Sequence, residues 1–239
     1  MKKEVIQIGG IPSILWGDKS NRLYVYVHGQ GGCKEEAQSF AEAAGRYGWQ
    51  VLSFDLPGHG ERKEDIPSFD PWHAVPELKQ VMDWSKSSHD HIALFANSIG
   101  AWFSLLSYAG EPFCQCLFVS PILDMHRLIH NMMQWAGVTE ERLEKEKTIP
   151  TDFGQTLSWE YLTYVRAHPV DTWPAPTRIL YADQDHLTDR QTVDSFVSRF
   201  GCDLTVMEGG EHWFHTPEQL NILNTWMIQS LNQLDGSRS

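Results

Sequence analysis

The chain has 239 residues, 41% of them hydrophobic and 21% charged. At about 100–200 residues per domain this is one large domain or two small ones, and the apolar fraction supports a sizeable core and excludes general disorder. With 31 acidic against 19 basic residues and a net charge of −12, the chain lacks the clustered lysine and arginine that a phosphate backbone demands, which sets nucleic acid aside as a partner.

The N-terminal run from Met1 to Gln7 carries two lysines but no apolar stretch behind them. No run approaches the ~18 apolar residues of a membrane span. The expectation is a soluble, cytoplasmic protein with no membrane span. Cys33, Cys114, Cys116 and Cys202 fit that reading. Cys114 and Cys116 share one face of an apolar run, and their C-x-C spacing matches neither a zinc knuckle nor a redox C-x-x-C, so buried free thiols are expected. The ten tryptophans suit apolar pockets or a partly open lid.

In chain order, strands are predicted at 5–8, 14–16, 23–27, 50–54, 92–96, 116–120, 178–181 and 204–207. Most are continuous apolar runs, the pattern of central strands covered on both faces; the first two look like an antiparallel edge. Helices are predicted at 35–47, where Ala37, Phe40, Ala41 and Ala44 recur at spacings of three and four, and at 76–84, 99–108, 190–200 and 218–231. Strand–helix alternation implies an α/β fold, a mainly parallel eight-stranded sheet with helices on both faces. The rhythm breaks at 125–173, which is helical, charged and aromatic and shows no clear strand. A structureless loop of that length is uncommon in a compact domain. The expected division is therefore a core of residues 1–124 and 174–239 with a small helical cap inserted at 125–173. The last five residues, 235–239, read as a frayed tail.

The strongest chemical signal is Phe95-Ala96-Asn97-Ser98-Ile99-Gly100-Ala101, between an apolar run and a helical pattern. That is the strand–turn–helix context of a nucleophile elbow. The turn is so tight that the residues two before and two after the serine must be small, and Ala96 and Gly100 are. The competing reading is an ordinary turn with Ser98 as helix N-cap. A second signal is Tyr26-Val27-His28-Gly29-Gln30-Gly31-Gly32. A glycine-rich turn after a strand can aim backbone N–H groups at an oxyanion, with the Gln30 and Ile99 amides as the donors. A dinucleotide loop competes here, but the third glycine of G-x-G-x-x-G is missing and Glu35 and Glu36 would repel a pyrophosphate. His28 reads as a hydrogen-bonding residue at the base of this loop.

With these segments the chain resembles the α/β-hydrolase superfamily. Ser53-Phe54-Asp55-Leu56-Pro57-Gly58-His59-Gly60 is similar to the loop after the fourth strand in its esterases and lipases. Tyr181-Ala182-Asp183-Gln184-Asp185 looks like the turn bearing a triad acid, and Glu208-Gly209-Gly210-Glu211-His212 like the turn bearing a triad histidine. The order Ser, Asp, His is characteristic of the fold. The resemblance implies Ser98 as nucleophile, His212 as general base and Asp185 as the acid, with no metal or organic cofactor. His215 is the rival histidine and Asp124 the rival acid; Asp55 reads as structural. His126 and His130, four apart, read as a helix-surface pair rather than a metal site. Met132, Trp135, Trp159 and Tyr161 either line an acyl pocket or form the cap's own core. The function implied is hydrolysis of a small carboxylic ester of short or medium acyl chain. A thioesterase, a peptidase or a non-catalytic binder of small ligands on the same fold are the alternatives.

Overall fold

The structure is a computed structural model, and it describes residues 1–236. In chain order its strands and helices are β1 (Lys3–Ile8), β2 (Ile11–Trp16), β3 (Arg22–Val27), α1 (Gln38–Gly45), β4 (Gln50–Phe54), α2 (Pro71–Lys86), β5 (His91–Asn97), α3 (Ile99–Tyr108), β6 (Cys116–Val119), α4 (Met125–Trp135), α5 (Glu140–Glu146), β7 (Thr148–Pro150), β8 (Thr156–Ser158), α6 (Trp159–Ala167), β9 (Thr177–Ala182), α7 (Arg190–Phe200), β10 (Asp203–Met207) and α8 (Pro217–Gly236). Two 3-10 segments, Lys34–Ala37 and Gly60–Ser68, carry the loops after β3 and β4.

Eight strands form one sheet in the order β1-β2-β4-β3-β5-β6-β9-β10. The edge pair β1–β2 is antiparallel, as is β2–β4, and every pairing from β4 to β10 is parallel. The continuous apolar runs follow from burial on both faces. In β3, Leu23, Val25 and Val27 face a core built with α2, α3, α7 and residues of the stretch 125–173, while Tyr24 and Tyr26 face a second core built with α1 and α8. β5 divides the same way, with Ile92, Leu94 and Ala96 on one side and Ala93 and Phe95 on the other. The parallel strands run in one direction, so their C-terminal ends gather the loops carrying residues 28–34, 55–61, 98, 120–124 and 183–189 along one edge of the sheet.

Two sequence readings are corrected locally. α2 begins at Pro71 rather than at Pro76, because the Asp70 carboxylate caps it by accepting the His73 N–H at 2.9 Å. Pro76 then lies within the helix, where it cannot donate to the carbonyl one turn back and its ring crowds that carbonyl. The stretch 125–173 is mainly α4, α5 and α6, each opened by a side-chain cap (Asp124, Thr139, Ser158). It also holds a small antiparallel hairpin, β7–β8. Three residues per strand are too few for any periodicity to show. Of the expected tail, Asp235 and Gly236 end α8, and 237–239 lie outside the described residues. Among the described residues no helix is long and apolar enough to cross a membrane.

Candidate active site

Ser98 occupies the turn from β5 into α3 with φ 52° and ψ −123°. A non-glycine residue held at positive φ stores strain, and surrounding bonds must hold it there. Its N–H donates to the Val119 carbonyl (3.0 Å) and its own carbonyl accepts from Ile122 (3.1 Å). The requirement for a small residue two positions on is direct. A Cβ on Gly100 would lie 2.5 Å from the His28 carbonyl oxygen and 2.8 Å from that of Val27. Ala96 is fully buried and fits without strain.

The imidazole of His212 comes from the loop between β10 and α8. Its Nε2 lies 2.8 Å from Ser98 Oγ, across 114 positions of sequence. Its Nδ1 lies 2.7 Å from Asp185 Oδ2. Asp185 sits in the turn after β9, and its other oxygen accepts the Leu187 and Thr188 N–H groups at 2.8 and 3.1 Å. With that carboxylate ionised, Nδ1 carries the imidazole proton and Nε2 is left to accept the serine hydroxyl hydrogen. The Asp185 side chain is fully buried and that of His212 nearly so, so water competes little for these bonds.

The rival residues are employed elsewhere. Asp124 is exposed and caps α4, accepting the Arg127 N–H at 2.9 Å. His215 is exposed, bonds the Trp213 carbonyl at 3.0 Å and stacks on the Trp213 ring. His126 and His130 are neighbours on α4, ring centroids 4.3 Å apart. No group of three metal-capable side chains occurs among the described residues.

The glycine-rich loop lies against Ser98, since a Cβ on Gly29 would stand 3.0 Å from the serine Cβ. The loop turns at 29–32, with the Gly32 N–H donating to the Gly29 carbonyl (3.1 Å), and the Gly31 N–H donates to His59 Nε2 (2.9 Å). His59 Nδ1 in turn donates to the Pro57 carbonyl at 2.8 Å. His28 braces the same loop from below: Nδ1 donates to the Gly29 carbonyl (2.7 Å) and Nε2 accepts the Leu56 N–H (3.0 Å). Burial pushes the His28 imidazole down to about 4, so it stays neutral. Asp55, fully buried, accepts from the Lys34 and Glu61 N–H groups and pairs with Lys34 Nζ at 2.7 Å. The Gln30 amide is thereby fixed at the corner of a rigid turn, and the Ile99 amide belongs to the first turn of α3, where N–H groups lack helical partners.

Three of the four aromatic and methionine candidates at 125–173 meet the larger core. Tyr161 stacks on Trp102 of α3 at 5.8 Å and meets Trp72 edge-on at 6.0 Å. Met132 and Trp159 pack against the larger core. Trp159 also borders a cavity with Trp72 and Tyr164. Trp135 is half exposed and meets Phe153 edge-on. The cavity that does border His212 and Gln30 has a volume of about 510 Å³ and lies on the opposite face of the sheet, between α1 and α8. Sequence reasoning did not find it. Its walls come from stretches far apart in sequence, within 26–40, 95–97, 119 and 212–227, and no local pattern marks them. The bracing role of His59 was likewise not read, although the positive φ of Gly58 (75°) and Gly60 (54°) around it makes that glycine–histidine–glycine run a required shape.

The sequence profile of the Alpha/beta hydrolase family matches residues 24–221, and the chain belongs to that family. Among solved structures it is similar to Est1E from Butyrivibrio proteoclasticus with bound ferulic acid, at TM-score 0.76 and 19% identity over 97% of this chain and 98% of that one. It is also similar to a monoacylglycerol lipase from Paleococcus ferrophilus, at TM-score 0.69 and 15% identity over 94% and 99%. The thioesterase domain from the curacin biosynthetic pathway follows the same fold at TM-score 0.60 and 17% identity, over 95% and 99%. No curated protein sequence matches the chain.

Proposed function

We propose that the protein is a serine hydrolase that cleaves a small carboxylic ester through an acyl-enzyme on Ser98. The observation that carries this reading is the unbroken hydrogen-bonded chain Ser98–His212–Asp185, with links of 2.8 and 2.7 Å. A turn that holds a hydroxyl at positive φ, facing an imidazole oriented by a buried carboxylate, is the arrangement nucleophilic catalysis needs.

In this reading Ser98 Oγ attacks the acyl carbon as His212 Nε2 takes its proton. The carbonyl oxygen becomes an oxyanion, held by the Gln30 and Ile99 amides; each such donor lowers the barrier by on the order of 3 kcal/mol. Collapse expels the alcohol, which takes the proton from His212, and leaves an ester on Ser98. Water then attacks through the same imidazole and releases the carboxylic acid. Asp185 holds the tautomer and offsets the charge on the imidazolium. Only side chains, backbone amides and water take part in these steps. The choice of an ester as substrate is supported by Est1E with bound ferulic acid and by the monoacylglycerol lipase, which share the fold; a short or medium acyl chain is part of the proposal. We read residues 125–173 as a cap over the front of the sheet, tied down by the Tyr161–Trp102 stack.

The test is a series of p-nitrophenyl esters of rising acyl length, with acyl thioesters and peptide anilides alongside. Turnover is expected for short and medium esters in wild type and not in Ser98→Ala. Preferential cleavage of thioesters or anilides would reassign the substrate class, and an active Ser98→Ala would remove the mechanism.

A further inference from the structure

The cavities of this molecule differ in what their polar groups are doing. A cavity of about 450 Å³ beside α7 has a cationic rim of Arg127, Arg166 and Arg199. Each of those guanidinium groups already holds a carboxylate, Asp189 at 2.6 Å, Glu140 at 2.6 Å and Asp171 at 3.3 Å respectively. The cavity of about 510 Å³ between α1 and α8 is the reverse. Tyr26, Gln30, Glu36, Ser39 and Asn97 are polar residues of its wall, Tyr26 buried, Asn97 half-buried and the other three open to solvent, and no lysine or arginine lines it. Phe40, Phe95, Phe214, Leu223 and Met227 supply apolar walls. A partly apolar hollow with polar groups on its wall and the His212 imidazole at its edge has the make-up of a ligand site.

The chemistry of those groups selects the ligand. Glu36 is the one carboxylate of the wall and no lysine or arginine lines it, while the two amides and two hydroxyls can accept as well as donate. Lys34, the lysine of this segment, is turned to Asp55, Glu61 and Glu35. Desolvation, with no cation to offset it, raises the Glu36 carboxyl above its ordinary range. Trp213, 75% exposed, stands at the rim, where an indole face attracts a positive charge. The net charge of −12 adds a general pull on cations.

We propose that this cavity is a subsite for a cationic head group, an ammonium carried on an apolar body, and that in turnover it receives the leaving alcohol of the ester. The second half rests on the function proposed above. The leaving oxygen takes its proton from His212, so the departing fragment lies on the histidine side, and His212 and Gln30 are walls of this cavity while Ser98 is not. Only the part of a substrate beyond the scissile bond reaches it.

Two measurements separate the claims. In Ser98→Ala protein, calorimetric titration with benzyltrimethylammonium is expected to give saturable binding, and phenylacetate none. Glu36→Gln added to that background is expected to weaken the cation about tenfold, as loss of an ion pair and its field would. Leu223→Trp, which fills the hollow, is expected to abolish binding. In the Ser98 protein, acetylcholine and its neutral isostere 3,3-dimethylbutyl acetate share one acyl group. Their kcat/KM ratio is expected to favour the cation about tenfold and to fall toward one in Glu36→Gln. Equal affinity for cation and anion, or a cation affinity untouched by Glu36→Gln and by Leu223→Trp, would overturn the subsite. Should a variant fail to fold, the cation–anion comparison in the Ser98→Ala protein still decides. Binding without turnover of any ester would instead sink the proposed function and leave the subsite standing. Turnover with no preference between the two acetates would remove its role in the reaction.

Discussion

Ser98, His212 and Asp185 act as one unit in the proposed reaction, so removing any of them has a similar cost. Ser98→Ala and His212→Ala are each expected to lower kcat by about four orders of magnitude or more, and Asp185→Asn by about four. The melting temperature of Ser98→Ala should stay near wild type, because only one part-buried hydrogen bond, that to His212, is lost. His28 sets a different pH signature. Its folded value, about 4, lies below the 6.5 of a free imidazole. Between those pH values the unfolded chain takes a proton that the folded chain refuses. Stability is therefore full above about 6.5 and falls as pH drops toward 4, by about 3 kcal/mol for this group alone. Urea midpoints at pH 7 and 4.5 measure the fall, which should be shallower in His28→Gln; an equal fall would deny His28 the role. At this scale much was legible in the sequence. Ser98 and His212 lie in short runs whose residue sizes are dictated by the turn. Asp185 was reached only through resemblance, since several carboxylates crowd that loop and its selection depends on which oxygen meets the imidazole.

Elements place those side chains through backbone contact, and α3 shows how little room there is. Its first turn rests on the end of β3, with no space for a Cβ at Gly100. Gly100→Ala is expected to push α3 and Ser98 away from the loop 29–32, destabilising by about 1–3 kcal/mol and lowering kcat together. Thermal unfolding and ester turnover on one sample test this; a variant with normal turnover would show that the close approach is dispensable. The parallel strands were legible because burial on both faces writes an unbroken apolar run. The start of α2 was not, because Pro76 imitates a first-turn proline, although Asp70-Pro71 carries the same cap-and-proline signal five residues earlier. β7 and β8 were hidden because a three-residue strand has no period.

The whole molecule adds what no segment contains. Tyr161 of the stretch 125–173 lies between Trp72 of α2 and Trp102 of α3, so Tyr161→Ala is expected to cost about 3–5 kcal/mol of stability, read by denaturant unfolding. A loss below 1 kcal/mol would mean that this stretch is not held to the core through this ring. The sequence set 125–173 apart by its length and aromatic content, but could not say which aromatics bind it to the core and which line a space. The cavity between α1 and α8 was invisible for the same reason, because β3, the loop 29–32, α1, β5 and α8 meet only once the sheet is formed. The most direct test of the central claim is covalent labelling by a fluorophosphonate, mapped by peptide mass spectrometry. The expected result is a single adduct on Ser98, absent in Ser98→Ala and strongly slowed in His212→Ala. No adduct on folded wild-type protein, or one that persists at full rate without His212, would contradict the account.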